Sequence, residues 1–228
     1  MNESVLDDPV GESLRGAHSH LARRHGTALR YPDDVSTFVA VPVNPRPQDW
    51  DDLAGLLGGG GFADLFSAEA TPPDGWPPEF DLDGFQMIGT AAHYATYPDV
   101  LTLGPADVPD MLALVEQNQP GPFWARTIAM GTYVGIRDTE GRLVAMAGER
   151  LHPPGWIEIS AVCTAPEARG KGCATRLVSE TAARIVSRGE RPLIHVAAAN
   201  RTAQAIYSKL GFETRREVTF RGFKVPTD

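Results

Sequence analysis

The sequence lacks any long apolar run and has very little cysteine. No window holds the 18 consecutive uncharged apolar residues that predict a membrane-spanning helix. The N-terminus, MNESVLDDPVGES, carries acidic residues where a secretory signal carries basic residues ahead of an apolar stretch. Cys163 and Cys173 lie ten positions apart, without a CxxC spacing. We therefore expect no membrane span, signal peptide, disulfide framework or zinc site, and the reducing cytoplasm is the simplest location.

Basic residues are scarce in the first part of the chain. Residues 1–99 hold 5 Lys and Arg against 16 Asp and Glu, whereas residues 100–228 hold 16 against 13. An acidic surface repels the phosphates of nucleic acid, so this composition disfavours a nucleic-acid partner. The small basic excess of the second part suits a local anionic ligand. With 42% hydrophobic residues among 228, the chain can form a folded core, as one large domain or two small ones.

Glycine and proline interrupt the first part. Four prolines within residues 71–78 predict a loop or linker, because proline donates no backbone hydrogen bond. Around this loop we predict helices at residues 12–25 and 48–57 and strands at residues 35–41 and 85–88. Four successive glycines follow the second helix, but the lysine of a phosphate-binding GxxxxGK[ST] loop is absent. These glycines therefore predict a flexible helix exit.

The second part has stronger periodic patterns. An amphipathic helix is predicted at residues 107–116, with an acidic cap and a proline in its first turn. Two β-rich runs at residues 132–137 and 143–151 are joined by turn residues, and a third follows at residues 156–164. These runs predict three antiparallel strands in series.

A glycine-containing turn, ARGKGCAT, follows the third of these strands. It leads into a predicted helix whose apolar residues from Ala174 to Val186 recur at helical spacing. Gly170 and Gly172 leave room for a ligand beside the backbone, where the free amides of the first helical turn carry partial positive charge. Three basic side chains add full charges there: Arg169, Lys171 and Arg176. This pattern favours a pyrophosphate site, although glycine at such a turn also serves tight geometry alone.

A second short helix is predicted within residues 200–212, after a strand at residues 193–198. Asn200 suits its cap and Gly211 suits its left-handed exit. Tyr207 falls on the packed face, where a buried tyrosine normally needs a partner for its hydroxyl. A core aromatic is the plainest role for this side chain.

Together, the two segments resemble the GNAT superfamily of acyl-CoA-dependent N-acetyltransferases. Arg169, Gly172 and Ala174 match its R-x-x-G-x-A pyrophosphate motif. The later helix matches its N-x-x-A…Y…G-F pattern with these residues: Asn200, Ala203, Tyr207, Gly211 and Phe212. The resemblance covers residues 100–225 and implies an α/β fold, a mixed and mostly antiparallel sheet flanked by helices.

The organisation resembles the branch in which a divergent N-terminal domain, in some members a degenerate copy of the same fold, precedes the acetyltransferase domain. The resemblance therefore implies an acidic α/β domain at residues 1–99 and the acetyltransferase domain at residues 100–228. No pyrophosphate motif is present in the first of these, so we expect no second active site there.

The resemblance also implies the contacts to acetyl-CoA. The main chain of a strand end would pair with the pantetheine arm: Ala161, Val162, Cys163 and Thr164. The glycine turn and the start of its helix would hold the pyrophosphate: Arg169, Gly170, Lys171, Gly172, Cys173, Ala174 and Thr175. Asn200 and Ala203 would contact the cofactor from the later helix, and Tyr207 would protonate the departing CoA thiolate. No metal is implied.

The attacking amine must be neutral, so the reaction needs a base or a water relay. On this resemblance Glu158 is the predicted base, since it lies on the strand where many relatives keep a glutamate. Glu149 on the neighbouring strand is the reserve. A solvated strand carboxylate is the alternative for Glu158, and a surface charge is the alternative for Glu149.

Other candidate residues give weaker indications of a functional site. His18, His20 and His25 lack the spacing of a metal pair on a helix and are expected at the surface. Cys173 would lie where a helix end activates a thiol, but a small buried residue is the simpler role. The predicted function is transfer of an acetyl group from acetyl-CoA to a primary amine by direct attack in a ternary complex. A catalytically silent acyl-CoA-binding or protein-interaction module is the alternative, and the acceptor, the acyl length and the oligomeric state stay open.

Overall fold

The computed structural model describes residues 3–118 and 121–227. These residues contain five α-helices: α1 (Pro9–Arg15), α2 (Pro47–Leu57), α3 (Val108–Asn118), α4 (Cys173–Ser187) and α5 (Arg201–Lys209). They also contain eleven strands: β1 (Arg23–His25), β2 (Ala28–Arg30), β3 (Val39–Ala40), β4 (Phe62–Phe66), β5 (Pro78–Gly89), β6 (Leu101–Leu103), β7 (Tyr133–Arg137), β8 (Leu143–Glu149), β9 (Trp156–Thr164), β10 (Arg191–Ala197) and β11 (Phe212–Lys224). No helix in these ranges combines the length and hydropathy needed to cross a membrane.

Eight strands form one mixed sheet in the order β4-β11-β5-β10-β9-β8-β7-β6. Every neighbouring pair is antiparallel except β9 with β10. Helices α3, α4 and α5 pack against this sheet, and β1, β2 and β3 form a separate small sheet. The predicted α/β fold is confirmed, including the three antiparallel strands in series, which are β7, β8 and β9.

Helix α4 turns one apolar face to the sheet. Leu177, Val178 and Ile185 are fully buried on that face, and each such side chain contributes roughly 1.5 to 3 kcal/mol to stability. The helix begins after Gly172, whose φ of 76° lies in the left-handed region that glycine adopts without strain. The sequence predicted this helix and its glycine start within one or two residues.

Helix α5 also has the predicted ends. The side chain of Asn200 accepts a hydrogen bond from the Ala203 amide at 3.1 Å and so caps the helix. Gly211 has a φ of 84° and lets the chain leave the helix for β11. Beyond it the chain forms one strand of 13 residues, β11.

The first part of the chain departs from the predicted elements. The helix predicted at residues 12–25 is wrong beyond Arg15, because the Gly16 amide bonds back to two carbonyls of α1 and ends the helix. Residues 19–21 form a single helical turn, and residues 23–25 are strand β1. The strand predicted at residues 35–41 shortens to β3, and the second predicted helix is confirmed as α2.

Strands β4 and β5 belong to the first 99 residues, yet both lie in the eight-stranded sheet. β5 pairs with β10 along one edge and with β11 along the other. The boundary predicted between residues 99 and 100 is therefore not a boundary of this sheet, because residues 78–89 supply one of its inner strands.

Candidate active site

The two parallel strands of the sheet separate partway along their length. β9 and β10 pair from Trp156 with Arg191 to Ile159 with Ile194. Beyond this point β9 pairs with β8 and β10 pairs with β5, each on its outer side. In the described chain, the facing edges of residues 160–164 and 195–197 therefore have no strand partner, although the carbonyls of Thr164 and Ala197 accept hydrogen bonds from other groups.

A β-bulge lies in β9 at this opening. The partners of Met146 and Gly148 are three residues apart in β9, so β9 has one extra residue there. Ala161, within the bulge, has a φ of 52°, a left-handed conformation that costs energy in any residue except glycine. Residues 160–162 are partly exposed, whereas residues 156–159 are buried. Strained backbone of this kind is characteristic of functional sites.

A groove of about 860 Å³ passes through the opening. One half is bordered by the start of α4 and by α5, and the other half is bordered by β4, β5 and β11. Nine of the predicted cofactor residues line it: Ala161, Val162, Cys163, Thr164, Arg169, Ala174, Asn200, Ala203 and Tyr207. The remaining five lie beside Arg169 and Ala174 in the turn and the first turn of α4: Gly170, Lys171, Gly172, Cys173 and Thr175.

The start of α4 presents a run of free backbone amides. The amides of residues 170–175 donate to no acceptor in the described chain, and the first helical bond joins the Arg176 amide to the Gly172 carbonyl at 3.1 Å. A Cβ added at Gly170 or Gly172 would meet no atom within 4 Å, so the space in front of these amides is open. A helix N-terminus of this form carries a partial positive charge of ~0.5 and suits an anion.

Two of the three basic side chains predicted here are free of carboxylates. The Arg169 guanidinium donates to the Asn118 side-chain oxygen at 2.9 Å. Within residues 3–118 and 121–227, no carboxylate pairs with Arg169 or Lys171, whereas Arg176 is paired with Asp99. The charges of Arg169 and Lys171 are therefore available to an anionic ligand.

Tyr207 lines the groove from α5. It is 7% exposed and packs against Phe212, and its hydroxyl bonds to no group in the described residues. Burial raises the pKa of Tyr207 to about 12, so the phenol keeps its proton at neutral pH. A hydroxyl that has no partner among the described residues and belongs to a groove-lining side chain can bond to a ligand atom in the groove.

Glu158 lies behind the groove wall in a buried ion pair. Its carboxylate is fully buried and accepts hydrogen bonds from Arg150 at 2.6 and 2.8 Å and from His195 Nδ1 at 2.7 Å. Burial acts to raise the pKa of Glu158, but Arg150 and His195 outweigh it and hold this pKa at about 2. The alternative of a solvated carboxylate is wrong, because the side chain has no exposed surface. Its role as base stays a prediction.

The protonation of His195 follows from its neighbours. The Gln86 side-chain nitrogen donates to the Leu6 carbonyl at 2.8 Å, and its oxygen accepts from Arg215 at 2.8 Å. These two bonds fix the orientation of the Gln86 side-chain amide. The Gln86 nitrogen therefore also donates a hydrogen bond to His195 Nε2 at 3.1 Å. His195 is therefore neutral with its proton on Nδ1, in agreement with burial lowering its pKa.

Asp64 is a groove residue that the sequence analysis missed. It lies on β4, is 4% exposed and accepts a hydrogen bond from the Thr37 hydroxyl at 2.6 Å. Burial raises the pKa of Asp64 to about 6, although Thr37 and Arg150 act to lower it. The one signal in the sequence is an acidic residue inside the otherwise apolar run FADLF. Nothing in the sequence places that run beside the later strands.

The reserve base, Glu149, lies outside the groove lining. It is 6% exposed, and its carboxylate accepts hydrogen bonds from Arg188 and from the Thr132 amide. The alternative of a surface charge is wrong, because the side chain is buried and paired with Arg188. Both cysteines are buried: burial raises the pKa of the Cys163 thiol to about 12, and Cys173 packs at the start of α4.

The three histidines near the N-terminus do not behave alike. His20 and His25 are exposed as expected. The expected surface position is wrong for His18, which is 3% exposed and bonds to the Tyr31 hydroxyl and the Met130 carbonyl. The described ranges contain no group of three or more His, Cys, Asp or Glu placed to hold a metal ion.

Comparisons with known proteins bear on the fold and the family. A family model described as FR47-like protein matches residues 133–221. A solved GNAT-family structure from Novosphingobium aromaticivorans shares 37% identity, covers 98% of this chain and 99% of its own, and has a TM-score of 0.87. A GCN5-related N-acetyltransferase from Kribbella flavida, with 17% identity, 96% and 95% coverage and a TM-score of 0.64, shares the fold. No curated protein matches the sequence.

Proposed function

The chain belongs to the GNAT family of acetyltransferases, and from this membership we propose that its groove binds acetyl-CoA and transfers the acetyl group to a primary amine. One observation carries the proposal. The open edges of β9 and β10 line the same groove as Arg169 and Ala174, which lie at the start of α4 beside the other free amides. This arrangement suits a ligand with a pyrophosphate at one end and an extended polar arm at the other.

The start of α4 is suited to the pyrophosphate. The amides of residues 170–175 are free, and Arg169 and Lys171 add two uncompensated positive charges. Charge-assisted hydrogen bonds of this kind contribute roughly 1.5 to 3 kcal/mol each when shielded from water. Residues 169–175 thus have the predicted chemistry for the phosphates.

The opening between β9 and β10 is suited to the pantetheine arm. Pantetheine contains two amides, which can pair with strand edges as an added strand would. Residues 160–164 and 195–197 offer such edges without a competing strand. Asn200 adds a side-chain nitrogen at the α5 end, since its oxygen is used in the helix cap.

When bound, acetyl-CoA supplies a thioester carbonyl, whose carbon forms a bond to the amine nitrogen as its bond to sulfur breaks. The leaving thiolate needs a proton. Tyr207 lines the groove, has a free hydroxyl and, with a pKa of about 12, is protonated at neutral pH. We propose that Tyr207 donates this proton.

The incoming ammonium must lose a proton before it attacks. Asp64 lines the groove, and a carboxyl with a pKa of about 6 is charged at neutral pH yet basic enough to accept a proton. Glu158 is a weaker candidate, because its pKa of about 2 makes it a poor base and its oxygens are already bonded to Arg150 and His195. We propose Asp64 as the base and Glu158 as the group that positions Arg150 and His195.

Replacement of Tyr207 by phenylalanine separates an enzyme from a silent acyl-CoA-binding module. We expect Tyr207→Phe to lower kcat by about 10²-fold, the usual contribution of a general acid, with an unchanged Kd for acetyl-CoA. Released thiol measures turnover, and calorimetry measures binding.

Tyr94→Phe is the matched control, because Tyr94 is also a buried tyrosine that packs against Phe212, but lies outside the groove lining. Equal turnover in wild type and Tyr207→Phe would remove the proposed proton donor. Acetyl-CoA binding without turnover of any amine would favour the silent module.

A further inference from the structure

The half of the groove beyond the strand opening has a wall of aromatic rings. Phe66 of β4 lies opposite Phe220 of β11, and Phe220 lies opposite Leu82 of β5, so three adjacent strands present apolar side chains on one face. The rings of Phe66 and Phe220 stack at 4.7 Å, and Phe38 stacks on Phe66 at 4.4 Å. All of these residues line the groove.

Part of this wall is exposed. Phe80 is 40% and Leu82 is 45% exposed, although both are large hydrophobic residues. Exposed apolar side chains inside a groove are characteristic of a binding site for an apolar ligand group. The wall adjoins Asp64, which lies two residues before Phe66 on β4 and which the proposed function makes the base for the incoming amine.

The charged groups at this half of the groove have a net charge of one negative unit at neutral pH. Arg150 is balanced by Glu158 through two hydrogen bonds, and His195 is neutral. The Asp64 carboxylate has a single hydroxyl partner and no ion-pair partner in the described chain. An ammonium group therefore complements the charge of this half of the groove. A carboxylate next to the amine would face Asp64 and be repelled.

We propose that the acceptor is a small primary amine carried on an apolar or aromatic group, with no carboxylate beside the amine. The ammonium lies against Asp64, and the apolar group packs on Phe38, Phe66, Phe80, Leu82 and Phe220. This inference rests on the proposed acetyltransferase function. A polyamine would need further carboxylates along the groove, and among the described residues that line the groove Asp64 is the one carboxylate.

The test compares amines at saturating acetyl-CoA, with released thiol as the readout. The panel is phenethylamine, ethanolamine, spermidine and phenylalanine. Burial of a phenyl group predicts that kcat/KM for phenethylamine exceeds that for ethanolamine by at least about 30-fold. Phenylalanine, which adds a carboxylate to phenethylamine, should be the poorer substrate of that pair.

Variants of the exposed wall locate the apolar group. Phe80→Ala and Leu82→Ala remove exposed side chains and should raise the KM for phenethylamine about 10-fold, with the KM for acetyl-CoA unchanged. Leu101→Ala is the matched control, because Leu101 is 46% exposed on β6, outside the groove lining.

The outcomes are distinguishable. Acetyl-CoA binding with preference for ethanolamine, spermidine or phenylalanine would overturn the acceptor class and leave the acetyltransferase proposal standing. Binding of acetyl-CoA with no turnover of phenethylamine would also overturn the class. Failure to bind acetyl-CoA would overturn the proposed function itself.

Discussion

Asp64 and Glu158 both interact with Arg150, yet their pKa values move in opposite directions. Glu158 has two hydrogen bonds from the guanidinium and one from His195, which stabilise its charged form. Asp64 has one hydroxyl partner, so the cost of burying its charge is only partly offset. The result is one carboxylate fixed in its charged form and one that titrates near pH 6.

Asp64→Asn should lower activity and raise stability. Because Asp64 is the proposed base, its replacement should lower kcat about 10²-fold. Its folded pKa of about 6 exceeds the ordinary 3.8, so its favourable contribution is present below pH 3.8 and is lost as pH rises through about 6. The variant should therefore gain about 1 to 3 kcal/mol in unfolding free energy at about pH 8, measured by urea unfolding.

Asp49→Asn is a control for which we expect the opposite change in the free energy of unfolding. Asp49 is buried, but hydrogen bonds from Arg46 hold its pKa at about 2, so its loss should destabilise the protein at the same pH. Full activity in Asp64→Asn would contradict the assignment of the base.

Glu158→Gln should destabilise the protein by about 3 to 5 kcal/mol at neutral pH, because Arg150 would stay buried without its charge partner. The stabilisation by Glu158 is present above pH 4.5 and is lost as pH falls towards 2, so the difference from wild type should shrink in that window. Urea unfolding at several pH values measures this.

The residual activity of the same variant tests the base. If Asp64 is the base, kcat/KM of Glu158→Gln should still rise with pH as Asp64 loses its proton, at a lower pH than in wild type because the unpaired Arg150 charge lowers the pKa of Asp64. Disappearance of that rise would identify Glu158 as the base.

Asp64 could not be found from the sequence because Thr37, Arg150 and the phenylalanine wall come from five separate segments.

Helix α4 owes its proposed role to its first turn. The amides of residues 170–175 donate to no acceptor in the described chain, and a Cβ added at left-handed Gly170 or Gly172 would meet no atom within 4 Å. This element was predictable because helix, turn and charge are local in sequence. The long helix predicted near the N-terminus failed because Gly16 ends α1 and the following residues form a single turn and the hairpin of β1 and β2.

Gly172→Glu should abolish acetyl-CoA binding, because it places a carboxylate where the pyrophosphate would lie. Gly189→Glu is a close control: Gly189 follows the other end of α4, has a φ of 80° and has no atom within 4 Å of an added Cβ. Both variants carry the same backbone strain and charge, so calorimetry should show loss of binding only for Gly172→Glu. Unchanged affinity in that variant would contradict the placement of the phosphates.

The molecule depends on strands from both parts of its sequence. β5 lies between β10 and β11, and its Met87 and Ile88 are buried. Without β5 the facing edges of β10 and β11 would lose their hydrogen bonds, at a cost of roughly 1 to 3 kcal/mol for each buried group left unpaired. The sequence patterns identified most strands, but their order in space depends on contacts between distant segments.

The fragment of residues 100–228 should therefore not fold alone. We expect it to be insoluble or to lack a cooperative thermal transition by circular dichroism, whereas coexpression with residues 1–99 should restore solubility by supplying β4 and β5. A cooperative transition of the isolated fragment near that of the full chain would support the predicted division at residues 99 and 100.

The central proposal is that the groove between β9 and β10 binds acetyl-CoA. Calorimetric titration of the full chain with acetyl-CoA, and separately with free CoA, tests it most directly. We predict micromolar binding of both, a free energy near about −8 kcal/mol, since both share the pyrophosphate and the pantetheine arm. Absence of binding by either ligand at about millimolar concentration, where even a binding free energy of about −4 kcal/mol would be detected, would contradict the proposal.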